Sequence, residues 1–502
     1  MTPLLLRSQI HALELAHAAL PLMQRAGAAI AAYVRQIALP GSRLLVLAGP
    51  GNNGGDALVA ASLLHHDYVL NVVMFGDPQR LPDQAAQACR DWQASGGELH
   101  TALPVLGDTP GYALVLDGLF GIGLARPLQG GAAALVQQVN ALGVPVLALD
   151  VPSGLCADTG AVLGVAIQAR YTLTFLAHKP GLYTHDGPDH AGRVQLARLD
   201  VPGPDVADLV AGDAGVAGYG HLLDAPGELH ALKRRLNSNK GNHGRVAVIG
   251  GAGGMMGAAL LAARAALLCG AGRVYAGLLD AQAYGLDYLY PELMLRDPLP
   301  LTEVDAADCV VLGPGLGQGD LALYLLEAAL RLPAPLVLDA DALNLMACTP
   351  TCAEQSCARS AATIITPHPG EAARLLACSV AEVQQDRIGS AIRLAQQYAA
   401  ITVLKGCGSV IATPAGHWWI NRSGNPGLAS AGMGDVLAGI IAALLVQGLQ
   451  PQQSVLTAVH LHGAAADGLV ASGIGPLGLT ASEVGLQARR ILNLWLARAD
   501  AS

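Results

Sequence analysis

The chain has 502 residues, of which 52% are hydrophobic and 13% are charged. This composition excludes a chain that is disordered throughout, and the length predicts two to four domains. The formal net charge of -9 argues against a nucleic-acid partner, because such a surface needs clustered lysine and arginine.

The amino-terminal segment lacks the pattern of an export signal. Arg7 interrupts its apolar stretch and Glu14 follows soon after, whereas a signal peptide has a continuous apolar core. The longest apolar run, Val436–Val446, is too short to span a bilayer and is typical of a buried helix. We therefore expect a cytoplasmic protein without a membrane partner.

Three of the nine cysteines lie close together but lack metal-ligand spacing, so we expect ordinary thiols at Cys348, Cys352 and Cys357.

Short apolar runs alternate with helical patterns in the first 200 residues. The first predicted strand is followed by a glycine loop, Gly49–Asp56, and then by a helix over Ala57–His65. Such alternation predicts a mainly parallel sheet with helices on both faces. The predicted strands are Leu44–Ala48, Val69–Phe75, Ala113–Leu116 and Val144–Leu149.

The pattern weakens between residues 202 and 228, where Gly, Pro, Asp and Ala predominate. We place a domain boundary near residue 220, which predicts domains 1–220 and 221–502. The alternation restarts with a strand at Val246–Gly250, a glycine loop and a helix over Ala258–Leu268. We therefore expect two α/β domains in series. The later predicted strands are Cys309–Leu312, Leu336–Asp339, Thr363–Thr366, Thr402–Lys405 and Ser409–Ala412.

The first glycine loop matches the pattern G-x-G-x-x-G, which suits a bound phosphate. On its own the match is weak, and a plain Rossmann turn with Asp77 as a ribose-binding acid would also explain it. Asn52, Asn53 and Asp56 add polar side chains that a plain dinucleotide loop lacks. Their presence favours a ligand site with polar side-chain contacts over a loop that offers only backbone amides.

Asp117 and Asp150 end two further predicted strands, and Ser153 follows the second of them. Ligands of open parallel sheets bind at the carboxyl ends of the strands. Asn53, Asp117 and Ser153 would supply oxygen ligands that suit an alkali or alkaline-earth cation. Alternatively, the two aspartates cap following helices. Spacing alone does not decide between these interpretations.

Four strings, GPGNNGGD, DGLFGIGLARPLQG, LDVPSGL and AHKPGL, resemble the NAD(P)H-hydrate epimerase domain over about residues 1–215. That family interconverts the R and S forms of hydrated NADH and NADPH. The resemblance implies K⁺ ligands at Asn53, Asp117 and Ser153, and an acid/base role for Asp150. Ala57 departs mildly from the usual glycine. The substrate-binding residues implied are Asn52, Asn53, Gly54, Gly55, Asp56, Gly121, Ile122, Gly123, Leu124, Ala125, Arg126, Pro127 and Asp150.

A second glycine-rich turn, Ser430–Gly434, precedes Asp435 and the long apolar run. Free amides at a helix start suit a transferring phosphoryl group, and the acid is placed to accept a hydroxyl proton. Alternatively, Asp435 is only a first-turn acid favoured by the helix dipole. Lys405 could be a solvated strand-end lysine, and His368 between two prolines is more typical of a turn. Walker A and protein-kinase motifs are absent from the sequence.

Six strings, GGAGGMMGAA, GPGLG, DADALN, TPHPGE, KGCGS and GMGD, resemble the ribokinase-like carbohydrate kinases over about residues 225–500. Within that group they are most similar to the NAD(P)H-hydrate dehydratases. The resemblance implies Mg²⁺ and ADP, which phosphorylates the ring hydroxyl so that phosphate can leave and the double bond returns. Asn239 stands where many members have His. The implied substrate-binding residues are Ala258, Gly317, His368 and Asp435, and the implied nucleotide-binding residues are Lys405, Gly406, Cys407, Gly408, Ser409 and Gly434.

Together the resemblances predict a Rossmann-like α/β/α sandwich followed by a ribokinase-like α/β domain. The expected enzyme epimerises the hydrates NADHX and NADPHX and dehydrates the S form, converting ADP to AMP and phosphate. We expect a homo-oligomer. Three alternatives remain open: a vitamin-precursor or sugar kinase in the second half, a non-catalytic ligand-binding module in the first, and an NAD-dependent dehydrogenase.

Overall fold

The computed structural model describes residues 2–104, 111–201, 220–227, 229–282 and 285–499. The chain divides into two compact units. The first unit is Pro3–Val216, and the second unit is Ala217–Ser502 with Met1–Thr2. The boundary predicted near residue 220 lies next to residues 202–219, which are outside the described part of the chain. No helix among the described residues is long and apolar enough to cross a membrane.

The first unit contains a seven-stranded parallel sheet in the order β4-β3-β2-β5-β6-β7-β8. The chain winds outward in opposite directions from β2 and β5, so their carboxyl ends border a switch point where α/β proteins bind ligands. The strands of this sheet are Arg43–Ala48 (β2), Val69–Met74 (β3), Leu99–His100 (β4), Leu114–Gly118 (β5), Val146–Leu149 (β6), Tyr171–Phe175 (β7) and Arg193–Ala197 (β8); the amino-terminal strand Thr2–Leu4 (β1) is not part of it.

Both faces of this sheet are covered, because alternate residues of β2 belong to different cores. Leu44 and Val46 pack into one apolar cluster, and Leu45 and Leu47 pack into another. Residues buried on both faces explain the continuous apolar runs from which the strands were predicted. The helices are Arg7–Ala16, Leu22–Ile37, Asn52–Leu64, Asp83–Ala94, Gly130–Ala141 and Gly187–Ala191, with 3₁₀ turns at Pro78–Arg80 and Pro180–Leu182.

The prediction that Gly49–Asp56 is a loop was wrong in its second half, because a helix begins at Asn52. The glycines serve close packing here. A Cβ at Gly54 would collide with the carbonyl group of Gly49, and one at Gly55 would lie 2.6 Å from Met23 Cε. The helix therefore starts directly against the end of β2, which brings Asn52–Asp56 to the switch point.

The second unit is also α/β, but its sheet is mixed, with strands in the order β9-β18-β17-β16-β15-β14-β13-β10-β11-β12. All described pairings are parallel except β16–β17 and β17–β18. Its switch point lies between β10 and β13. The strands are Gly220–Leu223 (β9), Arg245–Gly250 (β10), Arg273–Leu278 (β11), Met294–Arg296 (β12), Cys309–Leu312 (β13), Leu336–Leu338 (β14), Thr363–Ile365 (β15), Ile401–Leu404 (β16), Val410–Ala412 (β17) and Trp418–Asn421 (β18).

The apolar run Val436–Val446 is confirmed as part of a buried helix, Met433–Val446. A Cβ at Gly439 would collide with the carbonyl oxygen of Ala262, so this helix packs tightly against Met256–Leu268. The helices are Met256–Leu268, Asp320–Leu330, Asp341–Cys348, Pro350–Cys357, Pro369–Leu375, Val380–Gln385, Arg387–Gln397, Met433–Val446, Pro451–Ala471 and Ala481–Ala499, with 3₁₀ turns at His230–Leu232, Lys240–His243, Leu299–Thr302 and Pro426–Leu428.

Candidate active sites

Asp150 follows β6 and forms a buried ion pair with Lys179, which follows β7. The Lys179 side chain is fully buried, and 12% of the Asp150 side chain is exposed. Asp150 holds a left-handed backbone conformation, with φ at 66°, and its N–H donates to Leu173 O at 2.8 Å. Its carboxylate also accepts from the N–H of Phe175 at 3.1 Å. The Asp150 side chain is therefore held in one orientation at the carboxyl edge of the first sheet.

Two further acids interact with this pair. Burial raises the pKa of Asp56 well above its ordinary value, and the charges of Asp150 and Glu14 add to the rise. Burial, followed by the charge of Asp150, also raises the pKa of Glu14. Lys179 interacts with Asp150 and Glu14, and Asp56 interacts with both of these acids, so ionisation of each carboxyl group opposes that of the others. Neighbouring acids whose surroundings differ in this way suit acid/base chemistry.

The cap interpretation of Asp117 and Asp150 is wrong. The next helical segment after Asp117 begins at Gly130, and the next after Asp150 begins at Pro180. Asp117 instead binds Ser153, accepting from its backbone N–H at 2.8 Å and from its hydroxyl at 2.6 Å. Both side chains are completely buried, and burial raises the pKa of Asp117 to about 6.

Asn53 lies at the same edge, in the first turn of helix Asn52–Leu64. Its backbone carbonyl lies beside Gly118, and its side-chain amide lies beside Gly121. Both polar atoms of that amide are buried without a hydrogen-bond partner among the described residues. An orphaned amide oxygen near a buried carboxylate and hydroxyl is a donor set that fits an oxygen-ligated cation such as K⁺.

The predicted substrate loop Gly121–Pro127 is brought to the first glycine segment only at its start. A Cβ at Gly121 would lie 3.4 Å from Asn53 Cγ, while Ile122 packs partly against the core. Ala125, Arg126 and Pro127 are exposed. Asp77, the alternative ribose-binding acid, is also exposed and caps a 3₁₀ turn by accepting from the N–H of Gln79.

The second unit carries another buried cation among acids. Lys405, at the end of β16, binds Asp339 Oδ1 at 2.7 Å and lies 3.9 Å from Glu371 Oε2. The interpretation of Lys405 as a solvated strand-end lysine is therefore wrong. Two carboxylates balance its charge. Asp339 directly follows β14, and Glu371 lies in the helix that follows β15.

Asp435 belongs to the same cluster. Burial raises the pKa of its carboxyl group to about 7, the charge of Asp339 adds to the rise, and Lys405 opposes it. The residue also lies in the first turn of helix Met433–Val446, as the alternative reading proposed. A carboxyl group that titrates near neutrality is suited to accept a proton.

The turn before Asp435 packs directly on the ion pair. Gly432 has a left-handed backbone with φ at 86°. A Cβ at Gly434 would lie 3.0 Å from Lys405 Nζ and 3.4 Å from Asp339 Oδ2. Glycine is thus required for the helix start to approach the cluster.

Of the predicted substrate residues, Ala258 lies in the first turn of helix Met256–Leu268, and Gly317 lies in the loop after β13, so both are near the switch point. Gly315 O accepts from the N–H of Ala252 at 2.7 Å, and a Cβ at Gly315 would lie 3.4 Å from Ala258 Cβ. Gly317 donates its N–H to Asp341 Oδ2 at 2.9 Å. The sheet therefore brings the strings GGAGGMMGAA, GPGLG and DADALN together.

His368 caps helix Pro369–Leu375, because its ring Nδ1 accepts a hydrogen bond from the N–H of Gly370 at 2.9 Å. This position agrees with the interpretation of His368 as a turn residue. Its Nε2 lies 3.3 Å from Glu371 Oε1. Burial lowers its pKa, and the charges of Lys405 and Arg374 lower it further. These effects favour the neutral imidazole, which lies beside the acid cluster.

The predicted nucleotide loop Lys405–Ser409 connects the antiparallel strands β16 and β17. Arg387, which is 2% exposed, donates to the carbonyls of Leu404 and Lys405 at 3.3 Å. Ser409 closes the loop by donating to Gly406 O at 3.1 Å. Asn239, the other departure from the family strings, caps the 3₁₀ turn Lys240–His243.

Sequence reasoning missed several residues of these clusters: Glu14, Lys179, Asp339, Asp341, Glu371, Arg387 and His462. His462 hydrogen-bonds the backbone of Met433, and burial lowers its pKa to about 4. The strings AHKPGL, DADALN and TPHPGE already contained four of these residues. Among the described residues, no group of three or more His, Cys, Asp or Glu is arranged to hold a metal ion.

Two family models match the chain. Residues 19–181 match "YjeF-related protein N-terminus", and residues 246–483 match "NAD(P)H-hydrate dehydratase". The bifunctional NAD(P)H-hydrate repair enzyme of Escherichia coli is 40% identical over 94% of this chain and 89% of its own length. The Coxiella burnetii enzyme of the same name is 38% identical over 90% of each chain.

A crystal structure of the ADP/ATP-dependent NAD(P)H-hydrate dehydratase of Bacillus subtilis, obtained with ATP and Mg²⁺, is 29% identical. It aligns over 54% of this chain and 99% of its own, with a TM-score of 0.46.

Two α/β units with titratable clusters at their strand ends define a two-domain enzyme. The expected fold class, a Rossmann-like unit followed by a ribokinase-like unit, is confirmed. The chain belongs to the bifunctional NAD(P)H-hydrate repair enzymes.

Proposed function

We propose that this chain repairs hydrated nicotinamide cofactors through two separate sites. Residues 1–220 would interconvert the R and S hydrates of NADH and NADPH. Residues 221–502 would dehydrate the S form and convert ADP to AMP and phosphate. The observation that carries the proposal is the cluster of Asp435 and Lys405 beside a glycine turn, with the pKa of Asp435 raised to about 7.

In dehydration, Asp435 would accept the proton of the ring hydroxyl as the hydroxyl oxygen bonds to the terminal phosphorus of ADP. AMP leaves in this step. Loss of the new phosphate group with a ring proton then restores the double bond. The amides of Gly432–Gly434 and the ammonium of Lys405 would stabilise the transferring phosphoryl group.

Mg²⁺, when bound, would neutralise phosphate charge. It usually takes one or two carboxylates together with phosphate oxygens, and Glu371 and Asp339 are the carboxylates beside the glycine turn that fit this chemistry. Lys405–Ser409 and Gly434 would hold the nucleotide phosphates. Ala258, Gly317 and His368 would bind the hydrate.

In epimerisation, Asp150 would act as the acid/base at the hydrated ring carbon. Asn52–Asp56 and Gly121–Pro127 would bind the substrate. K⁺, held by Asn53, Asp117 and Ser153, would supply a fixed positive charge at the switch point. The orphaned amide of Asn53 supports this assignment.

The test is to incubate the purified chain with mixed hydrate epimers and either ADP or ATP, and to follow the return of nicotinamide absorbance. Complete recovery with stoichiometric AMP and phosphate is expected with ADP. The Asp150→Asn variant should stall once the S fraction is consumed, apart from slow spontaneous epimerisation. A phosphorylated product that accumulates without dehydration would identify a kinase instead, and hydride transfer would identify a dehydrogenase. The homo-oligomer and the cytoplasmic location remain predictions.

A further inference from the structure

We propose that Lys179 is a positioning residue of the epimerisation site: its ammonium holds one oxygen of Asp150 and leaves the other oxygen, ionised, for the substrate. The inference rests on the proposed epimerase function of the first unit. It assigns a role to a buried lysine that the mechanism above does not use.

The hydrogen bonds to the Asp150 side chain all end on the same atom. Lys179 Nζ, the Thr174 hydroxyl at 3.4 Å and the Phe175 N–H at 3.1 Å each donate to Oδ1. No donor among the described residues reaches Oδ2. Because a carboxylate has two equivalent oxygens, binding one of them this way fixes the orientation of the other.

All three N–H donors of the Lys179 ammonium group bind acceptors inside the protein. An ammonium group has three N–H donors. Those of Lys179 are directed to Asp150 Oδ1, to the Thr174 hydroxyl at 3.0 Å and to the Phe175 carbonyl oxygen at 2.7 Å. The side chain is also fully buried. Lys179 therefore has no donor left for the substrate, and it acts through Asp150.

The surrounding charges explain why a cation is needed at this point. Asp56 and Glu14 both interact electrostatically with Asp150, and His11 and Lys179 oppose the negative charge of Glu14. Nearby acids compete to remain protonated. Of the three acids, Asp150 is the one in direct contact with Lys179, which favours a negative charge on Asp150 over one on Asp56 or Glu14.

The experiment compares the full chain with its Lys179→Met variant, in which a side chain of similar length carries no charge. Epimerisation is followed by chromatography of the two hydrates across a range of pH. We expect kcat to fall about tenfold or more with little change in KM. The acid side of the pH profile should move up by about 1–3 pH units, the usual effect of removing an adjacent opposite charge. Dehydration of the S form should keep its wild-type rate.

Coupling to Asp56 separates a charge effect from a packing effect. Adding Asp56→Asn to Lys179→Met removes an acid that interacts electrostatically with Asp150, so part of the pH shift should be reversed. A loss of packing would leave the pH profile of both variants where it is in the wild type. An unmoved profile, or wild-type kcat in Lys179→Met, would overturn the proposal.

If Lys179→Met does not yield folded protein, Lys179→Arg provides the test because it keeps the cation. Its acid limb should remain within about half a pH unit of the wild type, even where kcat falls. A shift above one unit in this variant would contradict the proposal. A wild-type chain that dehydrates the S form without epimerising the R form would instead disprove the epimerase function, and the role of Lys179 with it.

Discussion

Asp435 combines a chemical role with a cost in stability, and both can be measured on one substitution. Its pKa rises from 3.8 to about 7, chiefly through burial. The difference is about 3 units, and at about 1.4 kcal/mol per unit it corresponds to roughly 4 kcal/mol for ionising the folded protein. This is an upper figure, because the side chain keeps some contact with solvent and is screened there.

The expected activity follows from the same titration. A base with a pKa near 7 is about one-tenth ionised at pH 6 and about nine-tenths ionised at pH 8. The kcat/KM for dehydration should therefore rise about ninefold between these values. Asp435→Asn should lower it by about 10²–10⁴-fold and remove the dependence, measured with saturating ADP and the S hydrate.

The sign of the stability effect is opposite to that of a salt-bridged acid. Because the folded-state pKa is raised, the native state binds the proton more tightly than the unfolded state does. The free energy of unfolding therefore falls as pH rises from about 4 to about 7, and then stays level. Asp435→Asn should be more stable than the wild type at pH 8, by up to about 4 kcal/mol, and the gain should shrink toward pH 5.

Urea denaturation of the two proteins at pH 5 and pH 8 measures this effect. Asp320→Asn is a matched control, because Asp320 is also a first-turn helix acid but is exposed. It should change neither the activity nor the pH dependence of stability. An acid limb below about pH 5.5, or no stability gain in Asp435→Asn at pH 8, would refute the assignment of Asp435 as a buried base.

Three further substitutions test separate parts of the chain. Asp117→Asn should abolish epimerisation and its K⁺ dependence in an epimer assay, and a parallel fall in dehydration would contradict two independent sites. Gly434→Ala, whose methyl group would press on Lys405 Nζ at 3.0 Å, should cut dehydration at least about tenfold in steady-state kinetics; unchanged kinetics would argue against a nucleotide at this turn. Gly54→Ala should destabilise the first unit by about 1–3 kcal/mol in thermal unfolding. Gly51→Ala is its control, because a Cβ there meets nothing within 4 Å, and equal effects would contradict the packing argument.

Ten of the eighteen described strands were predicted from the sequence. Cys309–Leu312 is confirmed to the residue, and the other predicted strands are displaced at their ends by a residue or two. Buried parallel strands are apolar on both faces, which makes them visible as continuous runs. Tyr171–Phe175 was missed because its threonines break such a run, although the strand is largely buried between β6 and β8.

The glycine segments were located correctly but were partly misread. Glycine indicates either a turn or a close approach of two backbones, and the sequence does not distinguish these uses. At Gly54 and Gly55 the second use applies, so the helix begins at Asn52 rather than at Ala57.

The ion pairs within the sites could not be predicted. Lys179 lies 29 residues from Asp150 in the chain, and Lys405 lies 66 residues from Asp339. Periodicity and local propensity carry no information at such separations. These partners meet only because the parallel register brings the ends of non-adjacent segments to one edge of the sheet.

The four-residue segment Asp150–Ser153 joins the two halves of the first site. At one end Asp150 is held by Lys179, and at the other Ser153 is held by Asp117. Only two residues separate Asp150 from Ser153, so a displacement of Ser153 should also displace Asp150. A substitution at Asp117 that moves Ser153 should therefore also move the carboxylate of Asp150.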